Sequence, residues 1–347
     1  MDDVTKRKLR TFVLLGFVIL VIGLLVYNRL QAYSLAPTLT QADLSKHTWY
    51  EIPFYYLWDY ASHAWICLAF AFVVAGLFYE FIPKKALTKY MSSKKASGYM
   101  IGIALAPFFT VCSCTMVPIF ASILYSGAGI GPAISFLLMA PAANILSIVV
   151  TGEILGWEIA LVRIIASVIT ALLAGIIISR TSWGKSIEKK LKPKKSGAKK
   201  SDLVQLVKPP LDERLWSALK FGGFLAKKIL PYFIVGLIAV SYVEAYLPQD
   251  LVVTYLTGIT GILLASVIGG PLYTPTLVEI ALGKTLLALG MSKAALLSWL
   301  MGQPYDVANM VAASRIVKWK VVITYALIAL ACSIIFGILY GKYLGII

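Results

Sequence analysis

Residues 107–118 read PFFTVCSCTMVP, a proline-bounded polar interruption in an otherwise oily part of the chain. Pro107 and Pro118 supply no helical N–H, so a break in the helix is expected between them. The flanking segments 98–109 and 115–126 are each about a dozen residues, well short of the ~20 that cross a bilayer. A re-entrant hairpin fits those lengths: in from one face, a turn at the thiols, and out again. Geometry then limits what Cys112 and Cys114 can do. On a helix, side chains at i and i+2 point about 200° apart, whereas in extended chain they share a face with Cα atoms roughly 6.6 Å apart. The pair can share a ligand only from a turn, and the ligand that suits two thiols is soft, such as trivalent arsenic or Cu(I). Cys67 and Cys332, each alone in an apolar run, read instead as small apolar fillers.

The remainder of the chain puts this hairpin in a membrane. An apolar content of 59%, a charged content of 14% and a mean hydropathy of +0.83 exclude an ordinary soluble domain. Apolar runs of spanning length lie at 11–28, 57–82, 131–151, 157–179, 229–246 and 319–341. The first is longer than a signal-peptide core and is followed by no small-residue cleavage site, so residues 1–30 read as a retained N-terminal anchor helix. A net charge of +16 does not point to nucleic acid, because the basic blocks 6–10, 83–95 and 180–200 lie between apolar runs with no interleaved aromatics. They read as the positive-inside signal of a multi-pass protein of the plasma membrane with a cytoplasmic N-terminus.

With those blocks inside, 11–28 runs outward, 57–82 returns, and 157–179 runs inward to meet the long basic segment after it. The hairpin and one full crossing at 131–151 fill the interval. A second half then repeats the first. "GAGIGPAISFLLMAP" (127–141) matches "GMSKAALLSWLMGQP" (290–304), "PFFT" (107–110) matches "PLYT" (271–274), and Pro83 matches Pro248 with a glutamate a turn before each. The second half starts from the cytoplasmic linker, so its first helix runs opposite to its counterpart. The expected fold is therefore an all-α polytopic membrane protein with two inverted repeats. Each repeat carries a broken, re-entrant hairpin near the bilayer midplane, and the N-terminal helix is extra. The boundaries are 54–180 for the first transmembrane repeat, 181–214 for a basic cytoplasmic linker and 215–347 for the second repeat.

"CSCTMVP" followed by "GAGIGPAISFLLMAPAAN" resembles the permease family that includes the organoarsenical efflux permeases (ArsP) and many predicted permeases of unassigned substrate. The matching positions are Cys112, Ser113, Cys114, Pro118, Gly127, Ala128, Gly131, Pro141 and Asn144. Thr115 stands where glycine usually follows the second cysteine. The resemblance, over most of residues 85–346, implies a transmembrane permease. It directs attention to Cys112, Ser113, Cys114, Thr115, Asn144, Thr274 and Thr276 as substrate-binding candidates.

Polar groups at membrane depth are expensive and therefore informative. Glu279, Asp306 and Asn309 lie in or beside the second hairpin and its following helix, where a carboxylate can exchange a proton for substrate. Glu80, Glu244 and Arg163 read as helix-end residues, and Lys227 and Lys228 as the cytoplasmic flank of the 229–246 span. No Walker loop, zinc motif or nucleophile elbow is present, so the protein is expected to be a carrier and not an enzyme. No catalytic residue, metal ligand or cofactor is assigned. The expected partners are a small-molecule substrate and the lipid bilayer, with no nucleic acid and with self-association into a homo-oligomer left open. The leading reading is an efflux permease for thiophilic substrates such as trivalent organoarsenicals. The alternatives are a permease for a sulfur-containing or other small anion, and a membrane thiol redox or sulfur-transfer protein.

Overall fold

A computed structural model describes residues 11–24, 27, 48–109, 113–191, 210–246, 257–270 and 276–346, and every regular element among them is a helix. In chain order these are α1 Thr11–Leu24, α2 Ile52–Phe81, α3 Lys84–Tyr90, α4 Ala96–Phe109, α5 Ser113–Tyr125, α6 Ile130–Ala142, α7 Ile145–Leu155 and α8 Trp157–Arg180. They continue with α9 Ser182–Leu191, α10 Leu211–Tyr246, α11 Gly258–Gly269, α12 Thr276–Ala288, α13 Lys293–Leu300, a 3-10 turn Gln303–Tyr305, α14 Val307–Ala313 and α15 Trp319–Tyr343. Among the described residues, four helical stretches are long and apolar enough to cross a membrane: Ile130–Leu155, Trp157–Arg180, Leu211–Tyr242 and Trp319–Tyr343. The bent pair Ile52–Ser62 and Trp65–Phe81 adds a fifth if taken as one span. The chain is an all-helical, multi-pass membrane protein.

Sequence and local structure agree closely at several ends. Pro83 disfavours helix at the residue before it, and α2 stops there with Ile82 extended at ψ 125. Within α2 the axis turns by 63°, beside Ser62, whose hydroxyl donates to the Asp59 carbonyl at 2.7 Å. Such back-bonding bends helices. The segments on either side of residues 110–112 form the short helices α4 and α5, and the second hairpin likewise gives α11 and α12.

Elsewhere the structure departs from the expectation. Pro107 and Pro118 do not bound the break but sit inside α4 and α5, and residues 110–112 between the helices lie outside the described set. The span expected from 229 starts much earlier, because α10 is a single helix of 36 residues from Leu211. Lys228 does not end it: its ammonium donates to the Tyr125 hydroxyl and lies 5.8 Å from the Phe224 ring centroid. The linker expected over 181–214 begins with a packed helix, α9, whose Ile187 is buried and whose Glu188 accepts from Ser93 Oγ at 2.8 Å and the Ile130 N–H at 3.3 Å. Residues 192–209 of that linker lie outside the described set.

The basic segments gather at one end of the molecule. Glu188 ties α9 to Ser93, Arg214 pairs with Glu80 at 3.7 Å, and α9 faces Lys318 and Lys320 across a shared cavity. At the opposite end Lys293 reaches Glu158 at 3.8 Å, and Tyr340 lies in the field of Glu158. Helices α8 and α15 therefore run antiparallel.

Apolar side chains gain nothing by leaving lipid for protein, so close backbone approach through small residues must hold such helices together. A methyl group on Gly76 of α2 would sit 2.1 Å from the Ala218 carbonyl oxygen of α10, and one on Gly222 would sit 2.5 Å from that of Phe72. One device occurs twice. Ser135 of α6 donates to Ala171 of α8 at 2.8 Å, with Gly175 fitted against the serine; Ser298 of α13 donates to Ser333 of α15 at 2.9 Å, with Gly337 fitted against it. The preceding turns also match. Gly127 (φ 92) and Gly290 (φ 103) each close a Schellman turn, with bonds to Leu124 and Leu287 and with the next residue bonded to Ile123 and Leu286.

Candidate functional site

The deepest polar feature is built around Arg163, six residues beyond the start of α8 and only 2% exposed. Its Nη2 lies 3.2 Å from Glu279 Oε2 on α12, itself 1% exposed, and also donates to the Leu300 carbonyl at 3.3 Å. Leu300 ends α13, where helical carbonyls lack partners and a cation complements the dipole. Nη1 donates to Thr151 Oγ1 of α7 at 3.2 Å, and the Gln303 side chain hydrogen-bonds Glu279 from the other side. Thus α7, α8, α12, α13 and the 3-10 turn meet at one ion pair. Arg163 Nε is buried with no acceptor, leaving one donor of the guanidinium unused.

A second cluster lies a few residues along the chain. Asp306 caps α14, accepting from the Asn309 N–H and from Asn309 Nδ2, both at 2.7 Å. Its charge also faces the buried Tyr325 of α15, whose hydroxyl has no hydrogen-bond partner. Asn309 Oδ1 has none either. In the first half Asn144 follows Pro141 as Asp306 follows Pro304. It caps α7, accepting from the Ser147 N–H at 2.8 Å, and its buried Nδ2 donates to nothing.

Among the residues singled out from sequence, Glu279, Asp306, Asn309, Asn144 and Thr115 are all buried. Asp306 and Asn309 bond to each other, whereas Glu279 belongs to the Arg163 network. Cys112 and Thr274 lie outside the described residues, and Ser113, Cys114 and Thr276 are described only as the helical starts of α5 and α12. The side chain of Glu244 is likewise outside the described set. Glu80 does pair near its helix end, but Arg163 does not belong with it: the expectation of a helix-end arginine is overturned by its burial and its partner on the other half. Its six-residue depth within an apolar run is the signal that could have found it. Cys332 is a buried free thiol as expected, whereas Cys67, expected to be a lone filler, is disulfide-bonded. No group of three or more His, Cys, Asp and Glu side chains able to hold a metal occurs among the described residues.

UPF0718 protein MJ0584 of Methanocaldococcus jannaschii is 29% identical over 340 residues, covering 81% of this chain and 92% of the relative. UPF0718 protein YraQ of Escherichia coli is 20% identical over 259 residues, covering 72% and 69% respectively. No solved structure matches the chain. The family model ArsP_1, described as "Predicted permease", matches residues 54–342, and by that match the chain belongs to this permease family.

Proposed function

We propose that the protein is a secondary-active permease of two inverted repeats, 54–180 and 215–347, with a substrate pathway running between their broken hairpins. The observation that carries the reading is the Arg163–Glu279 pair. Each ion costs several kcal/mol to desolvate, and ionisable groups at membrane depth characteristically belong to substrate or proton pathways. This pair also joins the two halves beside the broken segments. The twice-used serine–glycine contact, the matched glycine turns and the antiparallel α8 and α15 support the inverted arrangement. The clustering of the described basic segments 84–95 and 182–191 with Lys318 and Lys320 at one end supports a cytoplasmic placement of that end. Labelling of a cysteine introduced at Ser196 from outside intact cells would contradict that orientation.

In this reading Glu279 or Asp306, with Asn309 beside it, carries the coupling proton. Cys112, Ser113, Cys114, Thr115, Asn144, Thr274 and Thr276 line the route. Only free thiols bind a trivalent organoarsenical, so this arm requires the Cys67 disulfide to be reduced; in that state Cys112→Ser and Cys114→Ser keep polarity but remove the soft ligand, so affinity falls about tenfold or more, ~1.4 kcal/mol per tenfold. Cys332→Ser leaves it unchanged. Resistance assays of cells carrying each variant test this: equal protection by all three rules out thiol binding of the arsenical. A second reading, a permease for a sulfur-containing or other small anion, is favoured by Arg163, whose buried Nε lacks an acceptor. Arg163→Lys keeps the charge but loses the fork. Oxyanion uptake that drops in this variant while Cys112→Ser transports normally selects the anion.

A further inference from the structure

At the basic end of the molecule, away from the Arg163 network, the start of α9 faces the start of α15 across a cavity of about 470 Å³. Ser182, Trp183 and Ser186 line one wall; Lys318, Trp319 and Lys320 line the other. We propose that this cavity binds the phosphodiester headgroup of an anionic phospholipid.

Its chemistry is one-sided. Its lining residues are two lysines, two serines and two tryptophans, and no carboxylate residue lines it among the described residues. Neither lysine has an ion-pair partner among the described residues. The nearest acid of α9, Glu188, is turned to Ser93 and the Ile130 N–H on the α4–α6 side. Trp183 Nε1 is buried without an acceptor, although its residue lines the cavity. Buried indole N–H groups ordinarily find a partner, so this one calls for an acceptor oxygen. Lys318 is the N-cap of α15, and no side chain caps the first turn, so the free N–H groups and positive dipole end of a 25-residue helix open toward the same space.

Position selects a lipid over a soluble phosphate. The cavity lies at the end of two candidate spans, Trp157–Arg180 and Trp319–Tyr343, which is the depth of the headgroups. Trp319 is 48% exposed there, and tryptophan and lysine at such an end are the side chains that settle at a membrane interface. Basic pockets between transmembrane helices on the cytoplasmic side take anionic headgroups.

The test is native mass spectrometry of the full-length protein released from a neutral detergent, titrated separately with phosphatidylglycerol, phosphatidylcholine and inorganic phosphate. The wild type should retain one phosphatidylglycerol roughly tenfold more tightly than phosphatidylcholine, and Lys318→Gln/Lys320→Gln should remove that preference. Ser182→Ala/Ser186→Ala should weaken it by a smaller factor. Lys185→Gln/Lys189→Gln, on α9 but off the cavity lining, should leave it intact. Equal retention of the two lipids by the wild type overturns the proposal, as does an equal loss in the Lys185/Lys189 variant. Inorganic phosphate binding as tightly as phosphatidylglycerol would make this a site for soluble phosphate and also overturn it. Melting at the wild-type temperature in each variant keeps a negative result from being a folding defect.

Discussion

Asn144 and Asp306 stand at similar corners, one three residues past Pro141 and the other two past Pro304, each capping the helix that follows, each buried. One is a neutral amide and the other an acid. The cap geometry is the same, with one side-chain oxygen accepting the N–H three residues on, at 2.8 Å and 2.7 Å. Helix capping therefore does not explain the choice of acid, because Asn and Asp cap about equally well. What differs is the surroundings. Asp306 is held by Asn309 and faces Tyr325, whereas Asn144 keeps an unused Nδ2. The shared frame is structural and the asymmetry chemical, so ionisable groups concentrate in the second half while the first supplies Arg163.

That contrast can be broken most forcefully at the ion pair. Arg163→Met leaves Glu279 as a buried unpaired carboxylate, and a loss of about 3–5 kcal/mol is expected, seen as a large drop in the unfolding temperature in detergent. Arg163→Met/Glu279→Met should recover most of it. A double variant no better than the single would show that Thr151, Gln303 and the Leu300 carbonyl matter more than the pair.

Next come the repeated contacts. A Cβ at Gly175 would lie 2.2 Å from Ser135 Oγ and 2.8 Å from the Gly131 carbonyl oxygen; at Gly337 it would lie 2.0 Å from Ser298 Oγ and 2.8 Å from an Ile262 methyl. Both Gly→Ala changes should destabilise by about 1–3 kcal/mol, and Gly175→Ala the more, since backbone cannot swing aside as a side chain can. The same melting measurement checks the order.

Removing the caps sharpens the comparison further. Asn144→Ala should cost about 1 kcal/mol as an N-cap loss. Asp306→Ala should exceed it, because Asn309 Nδ2 then loses its partner in a buried site.

Smallest in stability, yet most telling for function, is Asp306→Asn. The cap survives and melting should shift by only a few tenths of a kcal/mol, while the dependence of flux on a pH gradient disappears in reconstituted vesicles if Asp306 carries the proton. Retained coupling in this variant and in Glu279→Gln would assign both acids to packing.

The broken hairpins were legible because length is a physical constraint: segments of about a dozen residues cannot cross a bilayer, and α4, α5, α11 and α12 are short helices at those places. Glycines at 127 and 290 were legible as a repeat, and their positive φ explains why the match holds there. A basic composition describes solvation and not packing: within the segment expected as linker, Ile187 and the bonds of Glu188 make α9 part of the helix bundle.

Composition and hydropathy by themselves determined that this chain is a helical membrane protein and where its short apolar helices fall. Both follow from a free energy that scales with local sequence, the burial of apolar side chains in lipid over a length the bilayer sets. Only the tertiary structure decided that Arg163 of α8 meets Glu279 of α12. It also decided that the starts of α9 and α15 share one basic cavity. Partners brought together from more than a hundred residues apart are chosen by how helices pack through their glycines and serines, and no local pattern encodes the identity of a neighbour.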